Sequence, residues 1–565
     1  MAPAPDPAPG QLVAVAVSGA NEFSVAWTGC WRSVDLAELQ RLEVHCAPRW
    51  VTWSPADLLA LTRAGLRVAR CWDLATVHRL LFGGWSSDPG RVWAAVTGLS
   101  ENSLPVTGQL DLLGPAGEPD GDLEELVQPD GHLRPEWFPT GWQRTPGRRR
   151  RWVELALTAA DRQRDRLAAL PDPRRALATA QAESGAEQVC AELTVAGLPI
   201  DRAQAERLIE SSIGPRPADA AEASQLRQRR DQQVLRHAPA GEWDLRSPAS
   251  VRAMLDRLGY AVPDTRSWRL EQYRDHPAVA ALLAWRKAER IATTYGYEWL
   301  DRHVGPDDRL RGNWTGSDGA AGRMTASAGL HNLPAELRAA VAAPPGQRLV
   351  RADLGQIEPR VLAAVSGDAG LAAASAADDL YAPVAEQLRV ARAEAKIAVL
   401  AAMYGQTSGT AGAALRGLDR SYPVAMRYLR AAYDAGRAGT AVRTYGGRLV
   451  RMWPIPTGRD AEANRAAAAA RGRFARNAVI QGAAAELFKV WAVTVRARSR
   501  ALGAQIVLCL HDELLVLVPA ETADQLAELV AGCLTEAASR WAPRGSGVRF
   551  VADISVLQRW SQAKA

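Results

Sequence analysis

The sequence predicts an α/β chain of several domains, and three observations predict it. At 565 residues the chain is longer than one hydrophobic core supports. Strand-like and helix-like patterns alternate near both ends, with long Ala/Leu/Arg-rich helical stretches between them. Two apolar strand patterns end on carboxylates, at Asp353 and at Asp512.

Composition narrows the class. A content of 47% hydrophobic and 23% charged residues is ordinary for a globular protein. No apolar run approaches the roughly 18 residues of a membrane span, and Met1-Ala2-Pro3-Ala4-Pro5 lacks an apolar signal core. The six cysteines form no Cys-x-x-Cys pair, which argues against a zinc module or a disulfide framework and suits a reducing cytoplasm. A net charge of +6 is compatible with a polyanionic partner. Of the 68 basic residues only Lys287, Lys396, Lys489 and Lys564 are lysine. A codon bias toward Ala, Arg and Gly accounts for most of this. A lysine that survives the bias is a candidate for chemistry needing a compact ammonium.

Taken in order, Leu12 to Val17 and Phe23 to Trp27 flank Ser18-Gly19-Ala20-Asn21, a hairpin pattern. A strand at Val51-Thr52-Trp53, a helix through Leu58 to Leu61 and a strand from Val68 to Trp72 follow, so this part reads as one α/β unit. Residues 101–150 are rich in Gly, Pro and acids, and Arg148 to Arg151 read as a solvated linker. From about 155 to 310 the pattern is helical, broken at Gly197-Leu198-Pro199-Ile200-Asp201. Leu349 to Asp353 then forms a strand out of the Pro344-Pro345-Gly346 turn, with a helix starting near Pro359. Residues 367–440 and 461–500 are helical, and Gly446-Gly447-Arg448 lies in a turn. The end alternates: a strand from Gln505 to Leu510, a turn, a strand from Leu514 to Val518, a helix over 521–540 and a strand from Val548 to Ile554.

Four constellations carry chemistry. In the first, His511-Asp512-Glu513 sits between two apolar strands. Unpaired acids are costly to bury, so this tip is either a tight turn exposed to water or half of a site. With Asp353 it becomes a pair of carboxylates able to hold two Mg²⁺ ions about 3.5–4 Å apart, with Mn²⁺ as an alternative. The second is Arg392-x₃-Lys396-x₃-Leu400-x₃-Tyr404-Gly405, spaced along one helix face. It is an amphipathic helix with Tyr404 in the core, or a triphosphate held by Arg392 and Lys396 with a base over Leu400 and Tyr404. The third is Arg473-x₃-Asn477-x₃-Gln481-Gly482, a polar helix face or a set of donors and acceptors reading nucleic-acid edges. The fourth is the loop of Gly322-Arg323-Met324-Thr325 and His331-Asn332-Leu333-Pro334, weak alone.

These four stretches, in this order, resemble the polymerase domain of family A DNA polymerases, the DNA polymerase I type. Asp353-x-x-Gln356-Ile357-Glu358-x-Arg360 resembles the first palm motif, Arg392/Lys396/Tyr404-Gly405 the fingers motif and His511-Asp512-Glu513 the last palm motif. A fainter likeness covers Glu192, Gly197, Ile200-Asp201 and Leu245-x-Ser247-Pro248, and reaches Trp560. The resemblance implies a right-hand polymerase of palm, fingers and thumb behind an RNase H-like exonuclease-type domain. It divides the chain into an exonuclease-like domain over 1–165, a helical thumb over 166–310, palm over 311–366, fingers over 367–460 and palm again over 461–565. It implies Asp353 and Asp512 as metal-binding carboxylates with Glu513 beside them. Arg392 and Lys396 would hold the incoming nucleotide's phosphates, with Lys396 also protonating the pyrophosphate. Gln356, Tyr381, Leu400 and Tyr404 would complete the nucleotide site, and Glu358 would crowd a ribose 2′-hydroxyl. Arg323, Asn332, Arg473, Asn477, Gln481 and His511 would contact DNA, Arg323 and Gln481 in the minor groove at the primer terminus.

The implied partners are primer-template DNA and deoxynucleoside triphosphates, met by a monomer in the cytoplasm at the nucleoid, without a membrane. The chain departs from the family pattern at Leu400, usually aromatic, at Ala401, usually Gly, and at Tyr381, often His; Leu354, Gly355 and Pro359 also differ from the commonest form. The hairpin, His45 and Trp72-Asp73 carry the exonuclease likeness, but that activity needs an Asp-x-Glu strand just before the hairpin. Only Asp6 precedes it, with Asp57 and Asp161 as other candidate acids, so the domain is expected to be inactive. The family's 5′-nuclease domain is not expected within this sequence. A single-subunit RNA polymerase and a non-catalytic, polymerase-derived DNA-binding protein are the rival expectations. Glu358 weighs against the first, and retention of Asp353, Asp512 and Lys396 against the second.

Overall fold

The computed structural model describes residues 5–105, 125–405, 411–455 and 460–563. The chain divides into two compact units: one of Met1–Ala196, Asn313–Thr325 and Gly346–Val556, the other of Gly197–Gly312, Ala326–Pro345 and Leu557–Ala565. Residues 166–196 therefore pack with the first unit, past the expected boundary at 165, and the final residues fall in the second.

The first unit opens with a five-stranded sheet. The expected hairpin is β1 (Leu12–Gly19) and β2 (Glu22–Trp27), extended by β3 (Cys30–Val34) and by the parallel strands β4 (Arg49–Thr52) and β5 (Arg70–Asp73) in the order β3-β2-β1-β4-β5. Alternation sorts its side chains onto two faces. Val13, Val15, Phe23, Val25 and Trp50 form one core with the helices Leu36–Cys46 and Pro55–Arg63. Ala14, Ala16, Ala26, Val51 and Trp53 form another with α1 (Pro146–Ala168), into which Trp137, Trp142 and Trp152 are packed.

That second face bears on two points of the sequence reading. Among the described residues no strand precedes the hairpin: β1 is itself the central strand, and its inner positions are alanines covered by tryptophan. Trp53 and Trp152 lie 4.8 Å apart, and Trp142 stacks on Trp152 at 5.8 Å. The candidate acids serve other purposes. Asp6 pairs with Arg41 at 2.8 Å, Asp57 closes a capping box with Ser54, and Asp161 is exposed beside Arg164. Nor do Arg148 to Arg151 form a linker, because all four lie in α1. Arg148 is buried with its guanidinium 5.0 Å from the Trp137 ring centre, and Arg149 pairs with Glu22 at 2.6 Å.

The rest of the unit is built on a second sheet and a long helix. Helix α2 (Pro173–Ala196) is followed, far along the chain, by β6 (Gln347–Leu354), α3 (Ile357–Ser366) and α4 (Arg392–Tyr404). Then come α5 (Ala461–Arg498), β7 (Gln505–Cys509), β8 (Glu513–Pro519), α6 (Ala523–Trp541) and β9 (Ala552–Leu557). The final strand thus begins later than expected. The sheet order is β7-β8-β6-β9, with β6 antiparallel to β8. Helix α5 is long and apolar enough to cross a membrane by length and composition, but 83% of its most apolar window is buried inside the protein. It is a core helix.

Where α2 meets α5, charges are buried. Glu183 lies 2.6 Å from both Lys489 and Arg448, and all three are at most 3% exposed. Burial works against the charge on Glu183, but the two cations outweigh it and hold its carboxyl below the usual range. Glu187, one turn on, takes Arg79 at 3.1 Å, the Thr76 hydroxyl and the Gly316 N–H. The rarity of lysine is therefore no guide to catalysis here: Lys489 is structural, and Lys287 pairs with Glu336 at the surface.

The second unit is mainly helical, with helices Arg202–Ile213, Ala220–Leu235, Pro248–Arg257 and Pro277–Thr294. Val234, Leu245, Met254, Leu255 and Leu282 centre its core. The Gly197–Asp201 break is a two-residue strand, Leu198–Pro199, paired with Arg309–Leu310, and Arg559 binds Asp201 at 2.9 Å.

Breaking a buried ion pair leaves an uncompensated charge, at a cost of about 3–5 kcal/mol. Lys489→Met is therefore expected to lower stability by about 3 kcal/mol, the low end because Arg448 remains. In urea unfolding the midpoint should drop at unchanged slope; an unmoved midpoint would contradict this account.

Candidate active site

Strand pairing assembles the acids. Val350 and its neighbours are buried on both faces of β6, but toward its tip Arg351 and Asp353, two residues apart, share one face. The register sets Asp353 opposite Glu513, and the Leu354 N–H donates to the Asp512 carbonyl at 2.8 Å. The expected pair is thus brought together across one ladder, although its members stand far apart in sequence.

The structure adds residues the sequence reading did not single out. The Arg351 guanidinium donates to Glu513 at 2.6 Å, to Asp353 at 2.6 Å and to Asp553, on β9, at 3.0 Å. The period-two pattern places Arg351 on the face of Asp353, but only sheet order brings Asp553 alongside. Burial and then the Asp512 charge push the Asp353 carboxyl up to about 6, against the pull of Arg351. Asp512 is also raised, by burial and then by Glu513 and Glu358.

Such a donor set fits a hard divalent cation. Among the described residues no three His, Cys, Asp or Glu side chains form a ready cage. An ion on Asp353 and Asp512 would therefore keep water or substrate oxygens as ligands, as Mg²⁺ commonly does.

A second group surrounds Glu358 at the start of α3. Its carboxylate accepts from the Tyr404 hydroxyl at 2.9 Å and from Arg323 at 3.3 Å. Gln481 hydrogen-bonds the same Tyr404 oxygen, and burial raises that phenol to about 12. Glu358, Tyr404, Arg323 and Gln481, from four separate stretches of sequence, thus form one network.

The helix α4 face is partly as expected. Lys396 is exposed and has no ion-pair partner among the described residues. Arg392 is exposed but bonded to Asp379, its guanidinium carbon 5.8 Å from the centre of the buried Tyr381 ring. Leu400 is half-buried against the α4 core. At Gly405, in the left-handed region at φ 71°, an added Cβ would come within 2.9 Å of the Arg473 side chain, so α4 ends where only glycine fits beside α5.

Gln356 is engaged inside the protein. It sits at φ 55°, unusual for a side-chain-bearing residue, and its amide donates to Asp379 at 2.7 Å and accepts from the Leu380 N–H at 2.8 Å. Arg360 secures the same segment: fully buried, it donates to the carbonyls of Gly355, Ser375, Ala377, Asp378 and Arg549.

Arg323, Asn477, Gln481 and His511 line one cavity of about 310 Å³, together with Asp318 and Phe474. The Asn477 side-chain oxygen is buried there without a hydrogen-bond partner. Arg473 is exposed on the preceding turn of α5. Asn332 lies in the second unit, where its carbonyl accepts from Tyr295 at 2.8 Å and from Arg290.

The fold matches a known class. The structure superposes on the polymerase domain of Pol1 from M. smegmatis, solved with DNA primer-template and dNTP, with a TM-score of 0.69 at 22% identity, covering 98% of this chain and 96% of that one. The architecture is that of a right-hand polymerase. Residues 220–562 match the family model described as DNA polymerase family A, and the chain belongs to that family. It is 32% identical over 288 residues to DNA polymerase I of Chloroflexus aurantiacus, covering 45% of this chain and 30% of that protein. With DNA polymerase I of Deinococcus radiodurans it shares 29% over 334 residues, covering 52% and 34%. These matches thus span about a third of the curated relatives' own length.

If Asp353 is a metal ligand, protons compete with metal as pH falls. Its folded pKa lies above the ordinary 3.8, so it takes up a proton on falling through about 6. Subsaturating Mn²⁺ should raise the unfolding temperature of the DNA-free protein at pH 8, with the rise fading below about pH 6. In Asp512→Asn the rise should be lost at every pH; a pH-independent rise would remove Asp353 from the ligand set.

Proposed function

We propose that this chain is a template-directed DNA polymerase, extending a primer 3′-hydroxyl with deoxynucleotides in replication or repair. The observation that carries the reading is the convergence of Asp353 and Asp512 on one strand ladder. Family membership supports it, as does the primer-template and dNTP bound to the M. smegmatis relative. Two Mg²⁺ ions, held by Asp353 and Asp512 and replaceable by Mn²⁺, would supply Lewis-acid activation of the attacking oxygen and neutralisation of the leaving one.

The chain's own residues supply the rest. Lys396, exposed and without an ion-pair partner among the described residues, binds the triphosphate as a point charge and donates its Nζ proton to the departing pyrophosphate. Arg392 first exchanges Asp379 for phosphate, so nucleotide binding releases that acid and the segment Gln356 holds. Tyr381 and Leu400 border the nucleotide. Glu358, braced by Tyr404 and Arg323, stands rigidly where a ribose 2′-hydroxyl would come. Arg323, Asn477, Gln481 and His511 receive the primer terminus in their shared cavity, and Arg473 and Asn332 add DNA contacts.

In this reading the helical segment 166–310 is the thumb, 311–366 and 461–565 are palm, and 367–460 is fingers. Residues 1–165 are an exonuclease-like domain without activity, in keeping with Ala14 and Ala16 under tryptophan where a hydrolase would need acids and water. The polymerase works as a monomer in the cytoplasm, at the nucleoid.

Primer extension on a defined template tests the reading. The unaltered chain should add deoxynucleotides, and Asp353→Ala or Asp512→Ala should cut the rate by at least about 10³-fold. Lys396→Ala should slow it by about 10²-fold or more at saturating nucleotide. No extension by the unaltered chain would sink the enzyme reading, and metal-dependent shortening of a 3′-labelled primer would show a working exonuclease. Glu358→Ala should admit ribonucleotides about tenfold more readily relative to deoxynucleotides; an unchanged ratio would deny Glu358 its role in sugar choice.

A further inference from the structure

We propose that Arg351 is a resident counter-cation of the acidic site, which orders the acids and competes with divalent metal for them. The inference rests on Asp353 and Asp512 being metal-binding acids, and it concerns how tightly this chain holds its metal.

The argument begins with position. Arg351 stands two residues before Asp353 on β6, so the strand's period directs both side chains to the same face. β6 lies between β8 and β9, and each neighbour offers Arg351 one more acid, Glu513 on one side and Asp553 on the other. Its Nε, Nη1 and Nη2 are each committed to a different carboxylate, at 2.6, 3.0 and 2.6 Å. A guanidinium stays charged at any physiological pH, and its planar fork suits several acceptors at once, which a lysine cannot reproduce.

The surroundings make these contacts count. The side chains of Arg351 and Glu513 are 11% and 8% exposed, so their attraction is little screened. Asp353, at 32%, is the acid of the three that combines partial access with a place beside Asp512. A metal ion reaching Asp353 meets a carboxylate whose Oδ2 is already held by a fixed cation. Arg351 thus stabilises the metal-free site, and the same attraction is subtracted from metal affinity.

The sign of the effect separates competition from mere support. If Arg351 only props the acids in place, removing it disorders them and weakens metal binding. If it competes, removing it strengthens binding. Calorimetric titration of Mn²⁺ into the DNA-free full chain at pH 8 measures this for the unaltered protein, Arg351→Gln and Arg351→Lys, with circular dichroism confirming the fold. Removing a unit charge at contact distance should tighten Mn²⁺ binding about tenfold or more in Arg351→Gln. Arg351→Lys, which reaches fewer acids at once, should fall between Arg351→Gln and the unaltered protein, and it decides the sign by itself if Arg351→Gln does not fold. Equal or weaker binding in whichever variant folds, or no Mn²⁺ binding by any of the three, would overturn the proposal. Primer extension by the unaltered chain is scored separately. Its failure would reject the polymerase reading while leaving a tightened Mn²⁺ affinity standing, and a variant affinity unchanged beside normal extension would reject only the role of Arg351.

Discussion

The antiparallel register of β6 on β8 is the constraint on which the rest depends. It sets Asp353 against Glu513 and brings the backbone of Asp512 to that of Leu354. A slip of one residue would turn Ala352 and Leu354 toward the site and bury Arg351 and Asp353 among aliphatic side chains. The register is held by the apolar pairs Leu349↔Leu517, Val350↔Val516 and Ala352↔Leu514, so hydrophobic packing in the body of the sheet fixes the position of the charges at its tip. Burial first, and then the neighbouring negative charges, raise the Asp353 and Asp512 carboxyls. Arg351, on β6 itself, offsets part of this by pairing with Asp353 and Glu513.

Arginine does much of the positioning around this centre. Arg360 gathers carbonyls from the start of α3, from residues 375–378 and from Arg549, fixing the ground beneath Gln356 and Asp379. Arg471 does the same at the other end, donating to the Gly436, Arg437 and Trp453 carbonyls from α5. A buried guanidinium with several acceptors is well satisfied, so an arginine-rich composition here reflects internal scaffolding as well as surface charge. The buried Glu183–Lys489–Arg448 cluster belongs to the same design, because it ties α2, on the sheet of β1 to β5, directly to the long core helix α5. The sheet of β1 to β5, packed with tryptophan on one face, has a structural role through that connection.

Much of this is legible in local sequence pattern. The β1–β2 hairpin, β6, β7, β8 and the extent of α5 follow from alternation or from helical periodicity, which are local properties. Asp353, Asp512 and the α5 face Arg473/Asn477/Gln481 are conspicuous because acids at strand tips and amides in an apolar helix conflict with burial unless something uses them. The errors came from charge without context. Arg148 to Arg151 look like a solvated run, yet two of them find Trp137 and Glu22, and Lys489 looks chemically selected although it neutralises a buried glutamate. Whether a charged side chain faces water or a partner depends on what the rest of the chain places opposite it.

The sequence by itself determined the kinds of element, the acids at their tips and the family motifs, because periodicity and local spacing are written along the chain. Only the tertiary structure decided that Arg351 bridges three carboxylates, that Glu358 is held by Tyr404 and Arg323, and that Arg392 rests on Asp379. It also decided that Ala14 and Ala16 of β1 share one buried core with Trp53 and Trp152. Each of these is a contact between stretches distant in sequence, fixed by sheet order and helix packing, and no local pattern encodes which distant side chain arrives.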